Sequence, residues 1–518
     1  MSFARAIATV GGLTLLSRLA GFARDILTAA VLGAGPVADA FFVAFRLPNH
    51  FRALFAEGAF NSAFVPLFSG KLVQDGAAAA RRFADEVMTL LVIVQMVLLL
   101  AVLAFMPQFM TVFAPGFADD PEKFRLAVLF TSITFPYLLL ISLVSLYGGV
   151  LNSMSRFGSA AAAPILMNLC LIAALVVGTP LMPTAGHALS WGVLASGVAQ
   201  YLYLAWDARR VDMTLRPVLP RLSPDVKRFL KVLGPAALGS GLTQISLFAD
   251  TLIASALPTG AVSYLYYADR LNQLPLGVIG IAVGTVLLPE MSKRIKSGDE
   301  AGAVDSQNRA IELSLVLTLP AAVAFLVAGT PILSVLFQRG AFGPSDAAAS
   351  ALTLQAYALG LPAFVVIRSL VNGFYARQDT ATPVRVALVA VGVNVALKLA
   401  LMGPLAQVGL AVATSVGAWV NAGLLALLLH RRGLFRADAR LTRNLPRMAI
   451  AAAAMAGALW LGTERLAPWL GAMGVVERLG GLLVLAVVGL AVYALAAVLL
   501  GLVRRSDLGR LRRRRAKA

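Results

Sequence analysis

What most restricts this chain is the recurrence of apolar stretches long enough to cross a bilayer. Fourteen of them, at about 8–32, 38–68, 84–112, 124–150, 159–179, 186–206, 229–256, 262–291, 309–330, 346–371, 384–403, 407–429, 445–463 and 478–503, follow one another across short polar or Gly/Pro-rich joints. A span takes about 20 largely apolar residues, and backbone facing lipid must satisfy its hydrogen bonds within the segment, so each stretch reads as a helix. Only 13% of the 518 residues are charged and 59% are hydrophobic, against roughly 25% and 45–50% in soluble domains. No room is left for a sizeable soluble domain. The start MSFARAIATVGG lacks a short apolar run ending at a cleavage site, so residues 8–32 read as the first span and not as a removed signal peptide. The single cysteine, Cys170, excludes an intramolecular disulfide framework.

The Lys/Arg pattern orients these spans. Joints after even-numbered spans, together with Arg5 and the tail from Arg504 to Lys517, hold 31 of the 44 basic residues, whereas the opposite joints hold Lys123, Arg125, Arg339, Arg465 and Arg478. The positive-inside rule then places both termini in the cytoplasm. A formal charge of +19 also suits a nucleic-acid-binding protein, but the charge is spread over many loops, and the basic tail reads more simply as an anchor on anionic lipid. No nucleic-acid partner is expected; the bilayer itself is.

The chain echoes itself at an offset near 224. Residues 40–76 have a weaker counterpart in 263–299, Phe113–Gly116 answers Phe337–Gly340, and Leu146–Gly149 answers Leu370–Gly373. The expected fold is therefore an all-α polytopic membrane protein with 14 transmembrane helices: two six-helix lobes related by a parallel repeat, plus two C-terminal helices. Its parts would be an N-terminal lobe (1–206), a cytoplasmic linker (207–228), a C-terminal lobe (229–430), the additional helices (431–503) and a basic tail (504–518). Parallel repeats of this kind suit alternating access.

Charges inside spans supply the functional signal. Arg18, Arg24, Asp25, Asp39, Arg46, Arg52 and Glu57 fall in the first two spans, and Asp250, Asp269, Arg270, Arg368 and Lys398 in later ones. Each costs about 2.5–3.5 kcal/mol on insertion scales, so each is expected to face a cavity or a partner. Arg18 and Asp25, and likewise Asp39 and Arg46, are seven residues apart and nearly eclipsed on a helix, so each pair could neutralise itself. Arg24, Arg52 and Arg270 lack such a partner and are the candidates for an anionic ligand, since the guanidinium fork matches phosphate geometry and stays charged when desolvated. The plainer reading is internal salt bridges or snorkelling side chains. Prolines and glycines including Pro48, Gly58, Pro66, Pro136, Pro275, Pro289 and Pro362 interrupt the spans, as happens near transport sites and in membrane helices generally. There is no Walker A motif, zinc-ligand cluster or dinucleotide fingerprint, and His50, His187 and His430 are scattered, so neither an enzyme nor an ATP-driven pump is expected.

LLSRLAGFARDILTAAVLGAG (15–35), ADAFFVAFRLPNHFRALFAEGAFNSAFVPLF (38–68), FQRGAF (337–342) and NGFYARQDTATPV (372–384) resemble the MurJ (MviN) family of bacterial lipid II flippases, within the multidrug/oligosaccharidyl-lipid/polysaccharide exporter superfamily. The resemblance implies a multi-pass protein of the bacterial cytoplasmic (inner) membrane, serving peptidoglycan synthesis, cell wall biogenesis and cell shape. It would move lipid II, the undecaprenyl-diphosphate-linked precursor, from the inner to the outer leaflet, with the cell-wall synthesis machinery as a candidate partner. By motif it assigns substrate binding to Arg18, Arg24, Asp25, Asp39, Arg52 and Arg270. It also implies coupling to sodium or to the membrane potential, with Asp250, Asp269 and Asn394 as candidate ion or gating residues; Lys398 departs from an uncharged sodium site. A cation-coupled drug or polysaccharide exporter of the same superfamily is the second reading, and a membrane scaffold the third.

Overall fold

Among the described residues the secondary structure is helical, apart from an isolated bridge between Arg339 and Phe342. The computed structural model describes residues 3–55, 59–471 and 474–502; Glu57, Gly58 and the basic tail lie outside the described residues. The helices are α1 (Phe3–Leu32), α2 (Pro36–Phe55), α3 (Ala59–Gln74), α4 (Gly76–Ala104), α5 (Met106–Phe113), α6 (Pro121–Thr134), α7 (Tyr137–Ser153), α8 (Phe157–Ala173), α9 (Ala185–Arg209) and α10 (Pro224–Ser255). They continue with α11 (Ala261–Lys296), α12 (Glu300–Phe337), α13 (Pro344–Ala358), α14 (Leu361–Tyr375), α15 (Ala381–Arg431), α16 (Ala439–Arg465), α17 (Ala467–Leu470) and α18 (Val475–Leu499). Eight helical stretches among the described residues are long and apolar enough to cross a membrane. The chain is an all-α polytopic membrane protein.

Several expected spans are broken helices. Pro136 ends the 124–150 stretch as one helix and leaves α6 and α7, and the 346–371 stretch divides at Gly360 into α13 and α14. Pro48, by contrast, stays inside α2. Proline has no N–H to give the carbonyl four residues earlier, and here the Thr134 hydroxyl of α6 donates to that carbonyl, Ala44 O, at 3.0 Å. The missing bond is replaced from a neighbouring helix.

Contacts divide the chain into two units, Met1–Ser263 with Arg339–Phe342, and Tyr264–Gln338 with Gly343–Ala518. In the first, α8 packs between α1 and α9, α2 lies on α6, and α10 lies on α2 and α3. The segment 212–223 between α9 and α10 is strapped to α4. Asp85 accepts from Arg216 N at 2.8 Å, Thr89 Oγ1 from Val218 N at 3.0 Å, and Glu86 from the Ser223 hydroxyl at 2.5 Å. Phe229 of α10 then meets the rings of Phe60, Phe64 and Phe83 edge-on. These bonds and this aromatic cluster hold α10 in the first unit. The Arg339–Phe342 turn joins it too: Ala341 N donates to Ala30 O at 2.7 Å. Gly340 (φ +57°) and Gly33 (φ +67°) make the approach possible, since a Cβ on either would stand 2.2 or 2.6 Å from a carbonyl oxygen.

In the second unit α12 is the spine, touching α13, α14, α16 and α18. Met448, Ala451, Met455 and Leu459 of α16 pack with Leu485 and Tyr493 of α18, and the Tyr493 hydroxyl donates to Val316 O of α12 at 3.0 Å. Buried Glu312 of α12 accepts from Arg309, from Arg440 Nη2 at 3.1 Å and from Asn444 at 2.7 Å, tying α12 to α16. Helix α15 reverses at Ala406 (φ 46°, ψ −129°), so its two halves pack together: a Cβ on Gly417 would lie 3.0 Å from Asn394 Cβ. This turn separates the expected spans 384–403 and 407–429.

Ala406 occupies backbone space that belongs to the glycine position of a type II′ turn. Gly409 beyond it leaves no room for a side chain, with Leu401 O 2.5 Å from a Cβ. Ala406→Gly is expected to raise the melting temperature of the purified protein and Gly409→Val to lower it, the latter by about 1–3 kcal/mol of overpacking. Gly392→Ala, in open space, is the control. Equal melting curves for Gly409→Val and Gly392→Ala would refute the turn geometry.

Candidate substrate-binding residues

Arg24 lies on the buried face of α1 and is 7% exposed. Its Nη2 and Nε donate to Asp25 Oδ1 at 2.7 and 3.2 Å, and Nη1 donates to Asn168 Oδ1 of α8 at 2.9 Å. Asn168 in turn donates to Ser17 O at 3.0 Å. Gly21 lets α8 come this near, since a Cβ there would already touch the Asn168 amide at 3.5 Å. The partner of Asp25 is thus Arg24, its neighbour in the chain, and not Arg18, which is exposed. Eclipsed positions seven residues apart are separated by about 10 Å of helix rise, beyond the reach of an ion pair that an adjacent arginine closes by folding back. Arg24 is therefore held by a carboxylate, contrary to the expectation that it lacks one.

Asp39, in the first turn of α2, is fully buried. Its oxygens accept from Gly260 N (2.7 Å), Ser263 N (3.0 Å) and the Ser263 hydroxyl (2.6 Å), and Lys123 Nζ lies 3.2 Å away. The carboxylate thereby caps the N-terminus of α11 from another helix, where orphan N–H groups and the helix dipole favour an anion. Lys123, itself 3% exposed, also stands 4.3 Å over the Phe117 ring and near the Thr259 hydroxyl. Asp39 pairs with Lys123 and not with Arg46, for the same reason of rise. Lys123 looked like a loop charge in the sequence, and no local pattern marked it for burial.

Arg52 Nε donates to Asn49 Oδ1 at 3.1 Å, and Asn49 is fixed by its own bond to Phe45 O at 2.8 Å. In the second unit the Arg270 guanidinium lies 4.6 Å from the Tyr266 ring centre, a cation–π contact, and Asp269 accepts from Gln273 at 2.6 Å. Asn394 Oδ1 is enclosed without a hydrogen-bond partner. One turn on, Lys398 is 2% exposed. A sodium ion would find one suitable oxygen at Asn394, but a buried ammonium on the same helix half is the wrong charge beside it, so these residues do not fit a sodium site. Asp250 is half-buried on α10. At the end of α9, burial pushes the Asp207 carboxyl up, but bonds from Arg156 and Ser159 and the Arg156 charge outweigh it and hold it below the usual range.

The all-α fold, with eight helical stretches among the described residues long and apolar enough to cross a membrane, defines a polytopic membrane protein. A solved structure of the lipid II flippase MurJ in an inward closed conformation matches with a TM-score of 0.79 at 24% identity, covering 95% of this chain and 98% of that one. A multidrug resistance MATE family transporter of the MOP superfamily, solved facing inward, matches at 0.66 with 16% identity over 83% and 98%. These two likenesses establish the shared fold. The probable lipid II flippase MurJ of Rhizobium meliloti (strain 1021) is 50% identical over 472 residues, 90% of this chain and 88% of that protein. The family model described as lipid II flippase MurJ matches residues 28–479. The chain belongs to the MurJ lipid II flippase family.

The Asp39–Lys123 geometry is testable by a double-mutant cycle. Asp39→Asn keeps the volume but strands a buried ammonium, a loss of about 3–5 kcal/mol, whereas adding Lys123→Met is expected to recover part of the melting temperature. Additive losses in the double variant would disprove the pair.

Proposed function

We propose that the chain carries lipid II from the inner to the outer leaflet of the bacterial cytoplasmic membrane by alternating access, as a multi-pass protein of fourteen spans with both termini in the cytoplasm. The observation that carries the reading is membership of the flippase family over residues 28–479. Counting the α15 hairpin as two passes, and adding α1, the α2–α3 pair, α9, α10 and α11 to the other long apolar helices, gives fourteen. Of the helices added, α1, α2, α10 and α11 carry charged residues within their apolar stretches, whereas α9 is diluted by Gly, Ser, Gln and aromatic residues. A parallel repeat of two six-helix lobes is supported by the sequence echo at an offset near 224.

In this reading Arg18, Arg24, Arg52 and Arg270 each engage the diphosphate or its sugars at some stage of the cycle. Asp25 and Asn168 aim Arg24, Asn49 aims Arg52, and Tyr266 supports Arg270. Asp39 acts through the helix it caps, while Asp250, Asp269 and Asn394 tune the polar surroundings. The polyprenyl tail stays in lipid, because only the headgroup needs polar partners. No step runs through sodium. An inside-negative potential favours outward movement of an anion by about 2.3 kcal/mol per charge per 100 mV, which suits a diphosphate cargo. Lipid II, the surrounding phospholipid and the cell-wall synthesis machinery are the partners this activity requires.

Arg24→Ala, Arg52→Ala and Arg270→Ala are each expected to lower outer-leaflet exposure of lipid II by about tenfold or more, the worth of one or two charge-assisted hydrogen bonds. Protein level should stay near normal for Arg52→Ala and Arg270→Ala; Arg24→Ala strands the buried Asp25 carboxylate, so its exposure is read per molecule of protein and beside Arg24→Lys, which keeps the pair. Lysine should rescue in part, keeping the charge and losing the fork. Arg431→Ala, exposed at the end of α15, is the control. Normal exposure in all three variants would remove the anion-binding role.

A further inference from the structure

The strap between α9 and α10 lies on α4 at a particular depth. Helix α4 carries its last charge at Glu86, and from Val87 to Ala104 it is uncharged, over about 27 Å of rise, close to the thickness of a hydrocarbon core. The strap is bonded on both sides of that boundary. Arg216 N meets Asp85 and the Ser223 hydroxyl meets Glu86, but between them Val218 N donates to Thr89 Oγ1, about one helical turn deeper. The chain therefore dips toward lipid after Arg216 and has returned by Ser223. A marker of headgroup level stands at its entry. Trp206, near the end of α9, is 50% exposed with the Arg210 guanidinium 3.6 Å over its ring, and tryptophan collects at the membrane–water interface.

What the dip exposes is apolar, and what flanks it is basic. Met213 and Leu215 are buried, whereas Val218, Leu219 and Leu222 are 37%, 76% and 60% exposed. Backbone beside lipid must not leave its donors open. Pro217 and Pro220 have no N–H to satisfy, and the Arg216 and Val218 amides are taken by α4, so among residues 216–220 only Leu219 N is left for a headgroup oxygen. Arg209, Arg210, Arg216, Arg221, Lys227 and Arg228 are all exposed. The same stretch has two acids, Asp212 and Asp225, and Lys71 takes Asp225 at 2.9 Å. A bilayer surface answers both features at once: the tops of acyl chains for the leucines, and phosphates for the guanidinium forks.

We propose that residues 216–222 form a lipid-binding strap, which inserts Val218, Leu219 and Leu222 at the top of the acyl chains and holds anionic phospholipid headgroups with Arg216 and Arg221. That the leaflet is the cytoplasmic one rests on the proposed topology; the strap itself is a property of the first unit alone. Each basic residue near an anionic surface strengthens binding several-fold, so the two arginines together favour an anionic over a zwitterionic lipid by about tenfold or more. The contact bears on α10 as well. Ser223, where the strap ends, caps that helix by accepting from Val226 N at 3.3 Å, so lipid held by the strap steadies the start of α10.

The test uses the full-length protein carrying Cys170→Ser and one fluorescent label, at Leu219→Cys, Leu222→Cys or Ala78→Cys, in vesicles of phosphatidylcholine and phosphatidylglycerol. Ala78 is exposed on α4, about 13 Å of rise before Val87, and serves as the aqueous control. Lipids with a nitroxide near the top of the acyl chain are expected to quench the label at 219, and more weakly at 222, while iodide does not; the label at 78 should behave in the opposite way. Nitroxide-bearing phosphatidylglycerol should quench at 219 several-fold better than nitroxide-bearing phosphatidylcholine. Arg216→Gln with Arg221→Gln should abolish that preference, and Arg216→Lys with Arg221→Lys should keep most of it. Iodide quenching at 219 as strong as at 78, or equal quenching by the two lipids with both arginines present, would overturn the proposal. Shielding found in native membranes but not in vesicles of the purified protein would assign the strap to a protein partner and overturn it too. Iodide added outside should reach the label at 78 in inverted membrane vesicles; access only in right-side-out vesicles would defeat the proposed topology and uphold the strap in the other leaflet.

Discussion

A charge taken out of water must meet another charge or a set of fixed dipoles, and the architecture of this protein follows from where that requirement is met. Asp39 shows it most fully. One carboxylate answers the N-terminal amides of α11, a serine hydroxyl and a buried ammonium, and so ties together α2, α6 and the start of α11. Glu312 does the same among α12 and α16 with two arginines and an asparagine. Neither group could be left alone at that depth, since losing one partner of a buried pair costs far more than an exposed pair is worth.

Arg24 sits differently. Asp25 and Asn168 hold its guanidinium in one orientation, and both are compact side chains on helices packed tightly across Gly21. A long flexible cation has thereby been given a fixed direction before any ligand arrives, which reduces the ordering that binding would otherwise have to supply. Arg52 is braced by Asn49, and Arg270 lies on the Tyr266 ring.

Much of this was legible in the chain. Apolar length marked the helices, because nothing but helix satisfies a lipid-facing backbone, and the RLAGFARD and LPNHFRALFAEGAF motifs led to the right family. What was hidden depends on reach between helices. Spacing on one helix suggested Arg18–Asp25 and Asp39–Arg46, yet the partners are Arg24 and Lys123, since rotation about an axis says nothing of the rise along it. Asn168 is a single polar residue in an apolar run and Thr134 one of three hydroxyl residues in four, and their bonds to Arg24 and Ala44 O belong to packing that no local pattern encodes. The segment 212–223 is charged and irregular, as a linker would be, and the sequence gives no sign that amides of it are spent on α4. The joint expected between residues 403 and 407 coincides with the reversal of α15 at Ala406.

The Arg339–Phe342 turn ties assembly to the order of synthesis. It completes the first unit by placing Ala341 against Ala30, although residues 264–338 of the second unit come before it in the chain. At a synthesis rate of about 5–20 residues per second, the ribosome takes about 4–15 s to make that intervening stretch. Throughout that interval the carbonyl of Ala30 waits for the amide it will bind, and α11 and α12 must enter the membrane before the first unit can close. The two units therefore mature together, and severing the chain between them would leave the earlier one unfinished.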